Sequence, residues 1–346
     1  MTVTLSFFSI ARISLLRRIS RFVRDHVEAK KEEYEHLSDE ESGKAVPNLV
    51  MFRLLNTFPR VTAVACHGRT NIVEVAKYLS MACLTATSLE ITDANIDLSK
   101  LFKPIKAPPK VGRAYHWSAS RLQRLVLRDM RMAITGLDVV TISENCCNIR
   151  HLDVSGSARL QSATLSQILR ALEDLESLAA LRCPRLGNDV LEALGSRVAR
   201  VALGGLPEDY NEAISLEGIE AMHGKLTHVR FEYCTKVGDM AVKEIASRFC
   251  PTLVEVAVIR NFYEKVAKIS DESIKFLQKC KKLRKLELVH TRRFDDNLAL
   301  YLSQGYEHLK VLNLTHCPIH VSLELLATGC PYLEELNISG DSWVKR

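Results

Sequence analysis

The sequence predicts an α/β solenoid, a horseshoe with parallel strands on the concave face, helices on the convex face and about 11 copies of one strand–helix unit. Three observations carry this expectation. An apolar-x-x-apolar-x-apolar pattern returns eleven times, with spacings clustered near 26 residues. Short oxygen side chains and glycines fall where helices between these copies would start and stop. Nine of the ten cysteines sit at positions the repeat defines.

The 346 residues carry a formal net charge of +6 with 47% hydrophobic and 25% charged side chains, enough apolar material for a core. The first 24 residues hold Arg12, Arg17, Arg18, Arg21, Arg24 and no acid, which is +5, so the remainder carries +1. On a helical wheel Arg17, Arg18, Arg21 and Arg24 share one side and Leu15, Leu16, Ile19, Phe22 and Val23 the other. Residues 1–24 read as an amphipathic targeting segment of the mitochondrial kind or as an ordinary docking helix, and both readings stand. Residues 25–56 follow as a charged helix and linker, fading near Ser42-Gly43.

Residues 57–346 hold the repeat. Its copies start at Val61, Ala86, Leu122, Ile149, Leu175, Val198, Leu226, Leu253, Leu283, Leu309 and Leu333. In each copy the last apolar positions alternate with others, as in a short strand with one buried face. Helical stretches such as Asp239 to Phe249 and Asp271 to Cys280 follow. Asn188, Asp189, Asp239, Asp271, Asp295 and Asp296 stand near helix starts as expected caps, and Gly195, Gly224, Gly305 and Gly329 near helix ends. One spacing of 36 marks an insertion at 95–120, with Pro104, Pro108, Pro109, Tyr115, His116 and Trp117, expected to be a loop.

Cys83, Cys146, Cys250, Cys280 and Cys330 stand three residues before a copy's start, and Cys183, Cys234 and Cys317 eight residues after one. At such turns a thiol serves as a small buried hydrophobe. Zinc would require close pairs, and no Cys-x-x-Cys exists; His316, Cys317 and His320 form the nearest cluster. Thiols without a disulfide framework point to a reducing compartment, cytoplasmic or nuclear.

Runs such as Cys250-Pro251-Thr252-Leu253-Val254-Glu255-Val256-Ala257-Val258 and Cys330-Pro331-Tyr332-Leu333-Glu334-Glu335-Leu336-Asn337-Ile338 resemble the cysteine-containing leucine-rich repeats. Leu226 to Cys234 matches the middle of that pattern. The resemblance covers roughly 61–341 and extends to the repeat domain of F-box leucine-rich-repeat proteins and to the antagonist-of-mitotic-exit family. It implies a substrate-receptor-like adaptor of ubiquitin-dependent degradation, with cullin-ligase components among its partners. A looser likeness, to mitochondrial leucine-rich-repeat proteins resembling ATP synthase subunit s and the complex I distal-arm assembly factor, implies an assembly factor for a respiratory-chain or ATP synthase complex. The chain departs from the F-box pattern: residues 1–60 contain no Leu-Pro-opened set of apolar helices, and Leu49 to Phe58 is too short.

No phosphate-binding glycine loop, zinc-protease helix motif or nucleophile elbow occurs, so neither an enzyme nor a cofactor is expected. The nearly neutral body argues against a nucleic-acid groove, and no apolar run reaches the length of a transmembrane helix. A protein partner is expected on the concave face, at positions two, four and six after each start. Arg124, Arg128, Asp153, Arg230, Glu232, Lys285 and Glu287 are such positions, a mixed-sign surface. After Val258 an irregular copy holds Arg260, Phe262 and Tyr263, with Tyr233, His290, Arg292 and Arg293 expected at the same rim. Aromatics with arginine are interface-anchor chemistry, though they equally pack a loop down.

Overall fold

The computed structural model describes residues 4–7, 63–67, 87–92, 121–130, 134–260, 269–291, 294, 297–317 and 323–338. The chain divides into two compact units, Met1–Asp153 and Val154–Arg346.

In the first unit, β1 (Thr4–Phe7), β2 (Ala63–His67), β3 (Ser88–Thr92), β4 (Arg124–Arg128) and β5 (His151–Asp153) pair in chain order, all parallel. Helix α1 (Gly136–Asn145) links β4 to β5. The second unit alternates α2 (Ser162–Ala171), β6 (Ser177–Ala180), α3 (Asn188–Glu192), β7 (Arg200–Gly204), α4 (Leu216–Ala221) and β8 (His228–Glu232). It continues with α5 (Asp239–Phe249), β9 (Glu255–Ile259), α6 (Asp271–Leu277), β10 (Lys285–Val289), α7 (Asn297–Leu302), β11 (Val311–Asn313), α8 (Leu323–Gly329) and β12 (Glu335–Asn337). Here too every strand is parallel to its neighbours in chain order. Each unit is an α/β leucine-rich-repeat solenoid.

All eleven repeat starts yield a strand, and each strand begins two residues after its start. Register follows from this. Ser177, Arg200, His228, Glu255, Lys285, Val311 and Glu335, all second after a start, form one cross-strand row. A one-residue slip would turn every buried side chain outward. In the copies starting at Ala86 through Leu309 the third and fifth residues after each start supply the core: Leu125 and Leu127, Val229 and Phe231, and Leu286 and Leu288 are at most 1% exposed, whereas Leu336 on the last strand is 39% exposed.

The sheet begins earlier than the repeat boundary at residue 57. Thr4–Phe7, inside the segment expected to be helical, is a strand in register with β2, Thr4 opposite Ala63. Its Thr-Leu-Ser-Phe alternation has the period of two that a half-buried strand requires. Residues 8–24, which carry the arginines, lie outside the described residues, as do 25–56 and the insertion 95–120.

The chain leaves most strands through one conformation. Asp129, Arg182, Tyr233, His290 and His316, each seventh after a start, have φ between 53° and 58°, and Gly156 at the same position has φ 78°. Non-glycine residues rarely enter this left-handed region. Here it turns the eighth residue beneath the sheet, where Cys183, Cys234 and Cys317 are at most 2% exposed. The Cys183 thiol donates to the Val154 carbonyl at 3.5 Å and that of Cys317 to Leu288 at 3.0 Å. The other cysteine position closes the turn from helix to strand. The carbonyls of Cys146, Cys280 and Cys330 accept from the N–H of Ile149, Leu283 and Leu333. Burial pushes these thiols up, Cys146 to about 12 and Cys330 to about 11. Tyr306 occupies the same position in its copy, buried, its hydroxyl donating to the Ile274 carbonyl.

The expected helix caps act differently. Gly187 and Gly238, not Asn188 and Asp239, are the N-cap residues of α3 and α5, and neither helix has a side-chain cap bond. The polar side chains tie neighbouring copies instead. Asp239 accepts from the Ser270 N–H at 2.8 Å, the Ser270 hydroxyl at 2.7 Å and the Ser273 hydroxyl at 2.6 Å. Asp189 accepts from Ser162 and Ser166, and Asn188 exchanges bonds with Ser215. Asp271 lies inside α6, capped by Ser270; Asp295 and Asp296 lie outside the described residues. Gly224 and Gly305 do adopt positive φ, 95° and 104°.

Candidate functional site

The outward row of the sheet in the second unit carries its ionic chemistry. Arg230, on β8 and fourth after its start, donates through Nε to Glu232 Oε1 at 2.6 Å and through a terminal nitrogen to Glu287 Oε2 at 2.6 Å. Glu287 is on β10, so the Arg230 side chain crosses β9. The residue between them in the row is Ala257, whose side chain is short enough to lie beneath the pair and is fully buried. Lys285 Nζ adds contacts at 3.4 Å to Glu255 and 3.5 Å to Glu287.

Burial works against the Arg230 charge, yet the hydrogen bond and field of Glu232 and those of Glu287 outweigh it and raise its pKa. Beside the cluster His228 is half-buried, its Nδ1 2.8 Å from the Thr227 hydroxyl. Burial lowers its pKa; Glu255 opposes this, and Arg200 and Lys285 reinforce it. The cluster is thus a preformed, mixed-sign patch in which Glu232, Glu255 and Glu287 surround Arg230 and Lys285.

In the first unit Arg128 donates through Nε to Asp153 Oδ2 at 2.7 Å, with a second nitrogen at 2.5 Å. The Asp153 hydrogen bond is the largest influence on Arg128 and raises its pKa against burial. Arg124 is exposed on the same strand. Val126, expected to face outward, is buried at 0% exposure.

The rim residues divide. Arg260 is buried, 6% exposed, with a terminal nitrogen 3.4 Å from the Thr235 carbonyl, so it packs inside rather than standing at a rim. Tyr233 and His290 hold left-handed turn positions. His290 stacks on His316, ring centroids 4.2 Å apart and planes 7° from parallel. Phe262, Tyr263, Arg292 and Arg293 lie outside the described residues. Sequence reasoning passed over Glu255 and Ala257, which the same position rule in the copy starting at Leu253 marks.

Among the described residues no group of three or more His, Cys, Asp or Glu could hold a metal ion, and no helix is long and apolar enough to cross a membrane.

A family model described as leucine-rich repeat matches residues 307–321, around β11. No match is found among curated proteins. Among solved structures the chain is similar to an internalin of Listeria monocytogenes, at 12% identity, 90% of this chain, 74% of that one and a TM-score of 0.49. It is also similar to the Rad7 and Elc1 complex of yeast, at 14%, 88%, 93% and 0.47. A Leptospira interrogans leucine-rich-repeat protein is similar at 15%, 83%, 68% and 0.46.

Proposed function

We propose that this chain is a non-enzymatic protein-interaction scaffold that takes a protein partner on the concave strand face, as a substrate-receptor-like adaptor of ubiquitin-dependent degradation. The observation that carries the binding mode is the Arg230–Glu232–Glu287–Lys285 cluster. Its groups are already ordered, so a partner with complementary charges meets them without paying for their immobilisation. The resemblance of the cysteine-containing repeats to those of F-box leucine-rich-repeat proteins supports the adaptor role.

The test is affinity purification of the full chain and of the Arg230→Ala/Glu287→Ala double variant from cells. Partners retained by the first and lost by the second, with the circular dichroism spectrum unchanged, are the expected result. A partner set identical in the two would overturn the assignment of this face. Cullin-ligase components are expected among the partners, and their absence would remove the adaptor role while leaving the scaffold.

The second reading is a mitochondrial assembly factor. The arginine-rich, acid-free residues 1–24 favour it. Fusing those residues to a fluorescent reporter decides it: mitochondrial signal supports import, and a diffuse signal removes it.

A further inference from the structure

A surface pocket lies away from the strand face, at the edge where strands begin. The carbonyl of the residue just after each start accepts the N–H of its counterpart in the next copy, at 2.8 Å from Arg284 to Val254, Lys310 to Arg284 and Glu334 to Lys310. This ladder brings the flanking side chains of successive copies together. Val254, Lys281, Lys282, Arg284, His308, Lys310 and Tyr332 line a surface pocket of about 810 Å³.

Its charge is concentrated. Lys281, Lys282 and Arg284 are exposed, and among the described residues no carboxylate forms an ion pair with any of them. Lys310 pairs with Glu334. Residues 154–346 contain equal numbers of basic and acidic side chains, so the excess here is local. One wall is aromatic: Tyr332 is 63% exposed and its ring centroid lies 6.5 Å from that of His308.

We propose that this pocket binds an extended acidic segment of a protein partner, its carboxylates on Lys281, Lys282 and Arg284 and an apolar or aromatic side chain against Tyr332. Dimensions select this occupant. Neighbouring copies are about 4.8 Å apart, so the copies lining the pocket span about 15 Å, the length of four or five extended residues at about 3.3 Å each. A lone phosphate would fill only a small part of this volume and leave the Tyr332 wall uncovered. A nucleic-acid strand would need a longer basic track than the two copies that carry the lysines and arginine supply, and it would meet Glu307 and Glu334 beside this one.

Fluorescence anisotropy of the full chain tests this with three probes: a labelled Glu-Asp-Glu-Tyr-Glu-Asp peptide, a Lys-Arg-Lys-Tyr-Lys-Arg peptide and a labelled oligothymidylate of matched charge. The acidic peptide is expected to bind, to weaken with added salt, and to lose about tenfold or more in affinity in the Lys281→Glu/Lys282→Glu/Arg284→Glu variant. Arginine at Lys281 and Lys282 should retain it. The Arg230→Ala variant should retain it as well, which separates this site from the strand face. No binding of the acidic peptide, equal binding of the two peptides, or insensitivity to the triple reversal in a variant that melts normally would overturn the proposal. Tighter, Arg284-dependent binding of the oligothymidylate would overturn it in favour of a nucleic-acid site.

Discussion

At the scale of single residues, the strand face depends on how few atoms separate its charges from the core. Ala257 leaves the space through which Arg230 reaches Glu287, and a larger side chain there would part the pair. His228 stands beside this cluster with its pKa lowered from the ordinary 6.5, burial being the main cause. The sign follows by linkage. The unfolded chain takes up a proton on His228 at a higher pH than the folded chain does, so the folded state is relatively favoured above about 6.5 and loses that advantage as pH falls through the folded pKa. Chemical denaturation at pH 7.5 and pH 5.5 checks it: His228→Gln is expected to narrow the difference between the two pH values. An unchanged difference would mean that His228 titrates alike in both states.

At the scale of elements, the repeat spacing encodes strand position almost without loss, because the copies from Ala86 to Leu309 all bury the third and fifth residues after their starts. Every copy from Val61 to Leu333 accordingly yields a strand, which begins two residues after its start and runs for three to five residues. The helix starts read less well. Asp239 and Asn188 have the composition of caps, but a sequence cannot say whether an oxygen bonds its own helix or the next copy's, and here stacking wins. Asp239 gathers three donors across the groove between α5 and α6, and one of them, Ser273, is fully buried. Asp239→Ala strands these donors and should cost about 2–3 kcal/mol. A double-mutant cycle with Ser273→Ala, read from urea unfolding, should show strong non-additivity, since both changes remove one shared bond. Additive losses would mean that Asp239 acts through α5 alone.

The candidate sites were legible in proportion to their closeness to the strand pattern. Arg230, Glu232, Lys285 and Glu287 follow from the position rule, and the structure brings them together. Arg260 did not, because its copy departs from the left-handed turn and takes the side chain inside. The basic pocket was invisible because its residues come from turns that are far apart in sequence until the copies stack. The run Lys279-Cys280-Lys281-Lys282-Leu283-Arg284-Lys285 was its available signal. β1 was missed for a different reason: four residues show little periodicity, and the partner β2 lies more than fifty residues away.

At the scale of the whole molecule, that strand matters most. β1 pairs along β2, whose sequence Ala63-Val64-Ala65-Cys66-His67 has no lysine, glutamate or proline to guard an open edge. A chain lacking residues 1–24 is expected to self-associate with rising concentration, by light scattering, where the full chain does not; equal behaviour would show that β2 tolerates exposure. The same pairing changes what import would mean. A presequence is ordinarily discarded without consequence for the fold it delivers. Here proteolysis would withdraw a structural member and hand the mature protein to its compartment with an uncapped row of amides and carbonyls, ready to be completed by a strand from another chain. Maturation and recruitment would then be a single event.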